Sequence, residues 1–351
     1  MRFVHDHPEL GHEEFRCAGR IASELEAGGY TVELGLAGME TAFRARLDGS
    51  RPGRTVGLTA VYDAVPAVRP DGSVEAIHAC GHGPISGGVV AAALALADLR
   101  ERLAGSVQVL GCPADEIHSP GAVQRGGGKA ISAEAGVWNG IDAALYAHPE
   151  FINTVSQQSL FMRRDRATIS GTRSLQPGAV QPPLDAAGVA VRAARNCGRS
   201  EVMLERMVVD GDVEEATGLV TVATFLLFAE TAERIDELAA GLREELPDAG
   251  WRTGHLVYGV RPDAEVTARV GEAFAAAGRD FVAEPPPLPF ATDFGNISQR
   301  IPAALIGIGH EGGWEFHTDE GARQFASRAG EDAALALASV LALAAIRLTD
   351  G

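Results

Sequence analysis

The stretch TVGLTAVYDAVPAVRPDGSVEAIHACGHGPISGGVVAAALALADL, residues 55–99, decides the fold. It opens with a short apolar run, Thr55–Val61, passes Asp63, and reaches Ala79-Cys80-Gly81-His82-Gly83 before an apolar helical run, Gly87–Leu99. An unbroken apolar strand followed by a long helix is the unit of a parallel sheet covered by helices. Outward from it, Tyr30–Leu34, Thr41–Leu47, Ser106–Gly111, Asp142–Ala147 and Ala303–Ile308 read as further strands bounded by Gly, Pro or Asp. Helical periodicity marks Glu13–Gly28, Ile85–Leu103, Lys129–Ala135, Ala264–Ala277 and Gly330–Arg347. The expectation is an α/β fold with a mostly parallel sheet and helices on both faces.

The middle of the chain has a different rhythm. Strand (Arg166–Ser170), helix (Leu184–Asn196), two strands (Val202–Val209 and Leu219–Phe228), helix (Ala232–Glu245) and a last strand near His255–Val260 follow one another. That β-α-β-β-α-β order predicts a smaller ferredoxin-like α+β domain over residues 164–260, inserted into an outer domain of residues 1–163 and 261–351.

Open α/β sheets build their sites just past the carboxyl ends of strands. There this sequence puts Asp63, Asp115-Glu116, His148 and, after a glycine-rich loop, His317, with Cys80 and His82 before the long helix. Taken singly, a strand-end histidine is more often structural and a buried cysteine inert. Together, Cys, Glu and three His form a donor set suited to zinc or another first-row divalent ion. Five ligands exceed one tetrahedral site with an open position, which suggests two metals sharing a ligand. An adjacent carboxylate would serve as general base.

Composition narrows the partners. The 351 residues carry 30 Lys+Arg against 47 Asp+Glu, a formal net charge of -17 that disfavours nucleic acid and anionic lipid. Lys129 is the one lysine and follows Gly126-Gly127-Gly128, but Ala130 stands where a P-loop needs Ser or Thr. The apolar runs Gly87–Leu99 and Ala333–Ile346 fall short of the ~20 residues of a membrane span. Four scattered cysteines and a start without signal-peptide pattern point to a reducing cytoplasm. The Arg163-Arg164-Asp165-Arg166 cluster reads as a solvated strand start rather than an anion site.

Seven motifs in order carry a resemblance: His7-Pro8-Glu9-Leu10-Gly11-His12-Glu13-Glu14, Tyr62-Asp63-Ala64-Val65-Pro66, His78-Ala79-Cys80-Gly81-His82, Pro113-Ala114-Asp115-Glu116, Ala147-His148-Pro149, Thr292-Asp293-Phe294-Gly295-Asn296-Ile297-Ser298 and His317-Thr318. The outer domain resembles the aminoacylase and carboxypeptidase family of di-metal peptidases, peptidase family M-twenty. It is most similar to the amidohydrolase branch that includes Xaa-Arg dipeptidase-like and aminobenzoyl-glutamate hydrolase-like proteins. The resemblance implies a zinc-peptidase-like sheet with a lid domain, and two divalent ions, zinc or manganese first, cobalt or nickel as alternatives. It implies that Cys80 bridges, with His82 and His148 on one ion and Glu116 and His317 on the other. Asp115 would activate water, Asp63 would orient a ligand, and Asp293 and Asn296 would lie toward substrate, where Arg173 is a further, weaker candidate from the residues themselves. The implied substrate is an N-acyl amino acid, a dipeptide or a related small amide, and the implied assembly a homodimer through the lid.

Three departures qualify the resemblance. The family's base is glutamate, and Asp115 is one methylene shorter. Leu175 stands where the family's lid carries a substrate-binding histidine, with Arg173 or His255 as possible replacements. Asp210–Thr217 lacks the family's asparagine-containing loop. The expectation is therefore a metal-dependent amidohydrolase. Its alternatives are the same metal scaffold diverted to condensation or acyl transfer, a binding protein without activity, or a cysteine hydrolase using Cys80 and His82.

Overall fold

The computed structural model describes residues 1–171, 182–197, 200–211 and 218–350. These form two compact units: Met1–Gln158 with Val260–Leu288 and Thr292–Gly351, and Ser159–Gly259 with Pro289–Ala291. The second unit starts at Ser159, before the 164 read from periodicity, because its first strand, Phe161–Gly171, begins upstream of the polar Arg-Arg-Asp-Arg run.

In chain order the first unit holds α1 (Arg2–His5), α2 (Phe15–Ala27), β1 (Thr31–Leu34), β2 (Phe43–Asp48), β3 (Arg51–Ala60), β4 (Val65–Val68), β5 (Val74–Ile77), α3 (His82–Asp98), β6 (Ala104–Gly111), α4 (Pro120–Arg125), α5 (Gly128–Glu134) and β7 (Ala143–Glu150). The second unit contributes β8 (Phe161–Gly171), α6 (Pro182–Asn196), β9 (Val202–Asp210), β10 (Leu219–Ala229), α7 (Ala232–Glu245), β11 (Gly250–Arg252) and β12 (Leu256–Val257). The chain closes the first unit with α8 (Ala264–Ala276), α9 (Phe294–Ser298), β13 (Ala303–Gly309), α10 (Asp319–Ala326) and α11 (Arg328–Asp350).

The main sheet runs β1-β2-β6-β3-β7-β13. The pairs β6/β3, β3/β7 and β7/β13 are parallel, and β1 and β2 add an antiparallel edge. Residues of both parities are buried at the end of β3, Val56 through Ala60, as a sheet covered on both faces requires. The parallel strands β3, β6, β7 and β13 therefore send their following loops to one edge.

The apolar run 333–346 belongs to a longer helix than periodicity showed. Arg328–Asp350 is extended by charged first-turn residues, including the Arg328–Asp332 pair at 3.0 Å. By length and composition α11 passes for a membrane span, but it packs along α3 and α8 and most of its apolar window is buried. The hairpin β4/β5 was not read from the sequence, since Pro66 and its exposed residues mask a strand signal.

The second unit is an antiparallel sheet in the order β11-β8-β10-β9, with α6 and α7 packed on it. This is the spatial order that a β-α-β-β-α-β chain gives in a ferredoxin-like unit. In the Arg163–Arg166 cluster Arg166 is exposed as expected, but Arg163 and Asp165 are not solvated. Asp165 is fully buried and takes Arg163 Nε at 3.0 Å, while Arg163 also reaches Asp236 at 2.6 Å. Each buried charge is thus paired, the condition for keeping one inside.

Candidate metal centre

Cys80 precedes Gly81, which caps α3 with φ +85, a conformation suited to glycine; a Cβ there would also strike Pro149. The turn aims Cys80 and His82, the first residue of α3, at the loop after β6. Their ligand atoms and a Glu116 carboxylate oxygen all lie within 4.8 Å of one another. His148, on β7, brings Nε2 to 3.5 Å from Cys80 Sγ. His317 follows β13 and puts Nε2 3.7 Å from Glu116 Oε2. It is fixed by its N–H, which donates to the Ala79 carbonyl at 2.8 Å, and by Thr318, whose side chain caps α10. The fold therefore brings together all five side chains read as ligands.

Asp63 organises the cluster from behind. Its Oδ2 accepts the Glu116 N–H at 2.8 Å, and its Oδ1 lies 3.0 Å from His82 Nδ1, which also sits 2.7 Å from the Asp63 carbonyl oxygen. A proton held at Nδ1 by these acceptors leaves the Nε2 lone pair facing Asp115 Oδ2 at 3.2 Å and Glu116 Oε1 at 3.6 Å. His148 is arranged likewise, with Nδ1 2.7 Å from the Pro149 carbonyl oxygen and 3.3 Å from Glu150.

The donor set passes a test of fit for cations. His82 Nε2 and Glu116 Oε1 are buried without a well-formed hydrogen bond. A buried lone pair and two carboxylates converging on it repel one another unless a proton or a cation lies between them. Protonation shows the same tension. Burial and the Cys80 sulfur push the Glu116 carboxyl well up. Burial opposes charge on Cys80, but the imidazoles of His148, His317 and His82 overcome it and hold the thiol well below its usual range. Burial opposes charge on His148 too, yet Cys80 and Glu150 bring it up to about 10. Cys, His and carboxylate ligands that must shed protons suit divalent zinc-like ions.

The N-terminal motif braces this loop. Glu9 accepts the N–H groups of Arg16 and Cys17 at the start of α2. Glu14, fully buried, accepts the Ala114 N–H at 2.8 Å and the Thr41 hydroxyl at 2.9 Å, holding Ala114 at φ +54 just before Asp115. Burial, reinforced by Asp63, pushes the Glu14 carboxyl from 4.5 up to about 8. The folded state then binds this proton more tightly than the unfolded chain, so its contribution is fully present below pH ~4.5 and lost as pH rises to about 8. Glu14→Gln is expected to flatten metal-free stability over that window, where the wild-type protein loses roughly 3–5 kcal/mol. Urea midpoints at pH 5 and pH 8 measure it, and an unchanged pH slope would contradict the assignment.

The three residues expected toward substrate do not share one fate. Arg173 lies outside the described residues, as do Leu175 and residues 212–217. Asp293 and Asn296 lie at the start of α9 and within it. Both are buried, and Asp293 accepts the Ala130 N–H at 3.0 Å and pairs with Lys129 Nζ at 2.7 Å. Sequence reading missed Lys129 and Tyr146 as members of the centre. Lys129 is fully buried and ion-paired with Asp115, and the Tyr146 hydroxyl donates to Asp115 Oδ2 at 3.2 Å. The available signal was the one lysine of the chain, placed directly after Gly126-Gly127-Gly128 at the start of α5.

Comparison with known proteins defines the class. The family model Peptidase family M20/M25/M40 matches residues 57–346, and the chain belongs to this family. N-acetylcysteine deacetylase of Bacillus subtilis is 26% identical over 90% of this chain and 88% of its own length. Xaa-Arg dipeptidase of Mus musculus is 27% identical over 86% of this chain and 73% of its own. One of the subunits of Escherichia coli p-aminobenzoyl-glutamate hydrolase is 32% identical, but the match spans 42% of this chain and 31% of that protein. A Bacillus subtilis structure described as a dinuclear metal binding peptidase superposes with a TM-score of 0.72 at 21% identity, covering 99% of this chain and 96% of the other.

Proposed function

We propose that the protein is a metal-dependent amidohydrolase cleaving the amide bond of an N-acyl amino acid, a dipeptide or a related small amide. One observation carries the reading: Cys80, His82 and Glu116 present ligand atoms within 4.8 Å of one another, with Asp115 at the rim. The relatives named as a deacetylase, a dipeptidase and a hydrolase support the reaction class. His82 and His148 would hold one divalent cation, Glu116 and His317 a second, with Cys80 shared; zinc or manganese suits the donors best. Such cations, when bound, polarise a carbonyl and bring the pKa of water toward neutrality. Asp115 accepts the proton of the attacking water at Oδ2 and returns it to the leaving amine. Asp63 keeps the His82 ring and the Glu116 backbone in place throughout.

A panel of N-acetylcysteine, aminobenzoyl-glutamate and dipeptides with carboxy-terminal Arg, assayed with zinc, manganese and cobalt, tests the reading. The expected result is hydrolysis of one class, lost with chelator and insensitive to a thiol blocker on the loaded protein. Fully loaded protein that cleaves none of them would contradict it.

We also propose a cytoplasmic homodimer. None of the four cysteines is in a disulfide, which supports a reducing compartment. β9 is the terminal strand of its sheet and exposes Met203, Met207 and Val209, which supports pairing of two copies along it. Light scattering at micromolar concentration is expected to give twice the chain mass, and Met207→Lys to shift it toward the monomer; a wild-type monomer would contradict this.

A further inference from the structure

Lys129 is the one lysine of the chain, and its side chain is fully buried. A buried ammonium persists only where carboxylates surround it. Here Asp293 lies at 2.7 Å and Asp115 is in direct contact. Its charge also lies 5.0 Å from the centre of the Tyr146 ring. Asp293 is itself immobilised, since its Oδ2 accepts the Ala130 N–H at 3.0 Å. The glycines before Lys129 permit this closeness: a Cβ at Gly127 would collide with the Asp293 carboxylate. The chain of contacts runs from Asp293 to Lys129 to Asp115 Oδ1, while Tyr146 bonds Asp115 Oδ2 and His82 Nε2 lies 3.2 Å from that same oxygen.

We propose that Lys129, held by Asp293, is the positioning residue for Asp115: it pins one carboxylate oxygen so that the other faces His82 and the reaction space. The inference rests on Asp115 being the proton acceptor. It answers the problem of the shorter side chain. An aspartate has less reach than a glutamate, so its carboxylate must be held in a narrow range of orientations, and a misplacement of ~1 Å costs about 100-fold.

Lys129→Met and Lys129→Met/Asp293→Asn are compared with the wild-type protein, each loaded with zinc, on N-acetyl-L-cysteine. The double variant leaves no unpaired buried charge at position 293, and Asn still accepts the Ala130 N–H, so it reports even where the single variant fails to fold. Expected are a kcat lower by about 10- to 100-fold, KM within about twofold, unchanged metal content, and no added loss from Lys129→Met on an Asp115→Asn background. A crystal structure of the double variant is expected to show the Asp115 carboxylate displaced by about 1 Å or more. An unmoved carboxylate, a kcat within about threefold of wild type, or an equal loss on the Asp115→Asn background would overturn the proposal. Full turnover in Asp115→Asn would overturn the role of Asp115 and this proposal with it. An inactive Asp115→Asn beside unimpaired Lys129 variants would overturn this proposal alone.

Discussion

Asp115→Asn is expected to lower kcat by about 10²- to 10⁴-fold, the range for removing a positioned general base. The substitution preserves volume and keeps an oxygen for Lys129, its amide nitrogen then donates toward the Tyr146 hydroxyl, and Asp293 still neutralises the ammonium. What it removes is the capacity to take a proton next to His82. KM and metal content should therefore stay near wild type, because Asp115 is not among the five proposed ligands. Steady-state kinetics together with metal analysis of the same preparation checks this. Turnover within about tenfold of wild type would take Asp115 out of the mechanism. Asp115→Glu sharpens the point: a faster Glu variant would mean that the native reach is suboptimal for amide hydrolysis.

His82→Ala is expected to cost still more, because it removes a donor and frees its support together. Without the imidazole, Asp63 retains the Glu116 N–H but loses its ring partner, a carboxylate left short of contacts in a fully buried site. Metal content should fall from two toward one ion per chain, because Glu116, His317 and Cys80 remain for the second, and activity should fall further than in Asp115→Asn. Asp63→Asn disturbs only the support, so a loss of about 10- to 100-fold in metal affinity is expected there. Isothermal titration of the apo proteins with zinc separates the two. Wild-type metal content in His82→Ala would contradict the assignment of that ring.

Much of this architecture is legible in the sequence because parallel strands advertise themselves. β3, β6, β7 and β13 are short apolar runs, and the residues just past each must lie at one sheet edge. Asp63, Glu116, His148 and His317 could be placed together on that ground alone. Periodicity was silent on pairings between polar residues far apart in the chain. Lys129 reads as an ordinary residue at a helix start until Asp293, at the start of α9, is found against it. Arg163 and Asp165 were misread for the same reason: alternation along a strand does not reveal that Asp236 on α7 covers the charge. Strand β4 escaped because Pro66 sits within it, and the full length of α11 because its first turn is charged.

The central claim is that five side chains from separate parts of the sequence gather around a pair of cations. Anomalous diffraction from crystals of zinc-loaded protein, paired with metal analysis in solution, tests it most directly. Two peaks per chain are predicted to flank Cys80 Sγ, one against His82 and His148 and the other against Glu116 and His317. A single peak, or ions bound away from Cys80, would contradict it.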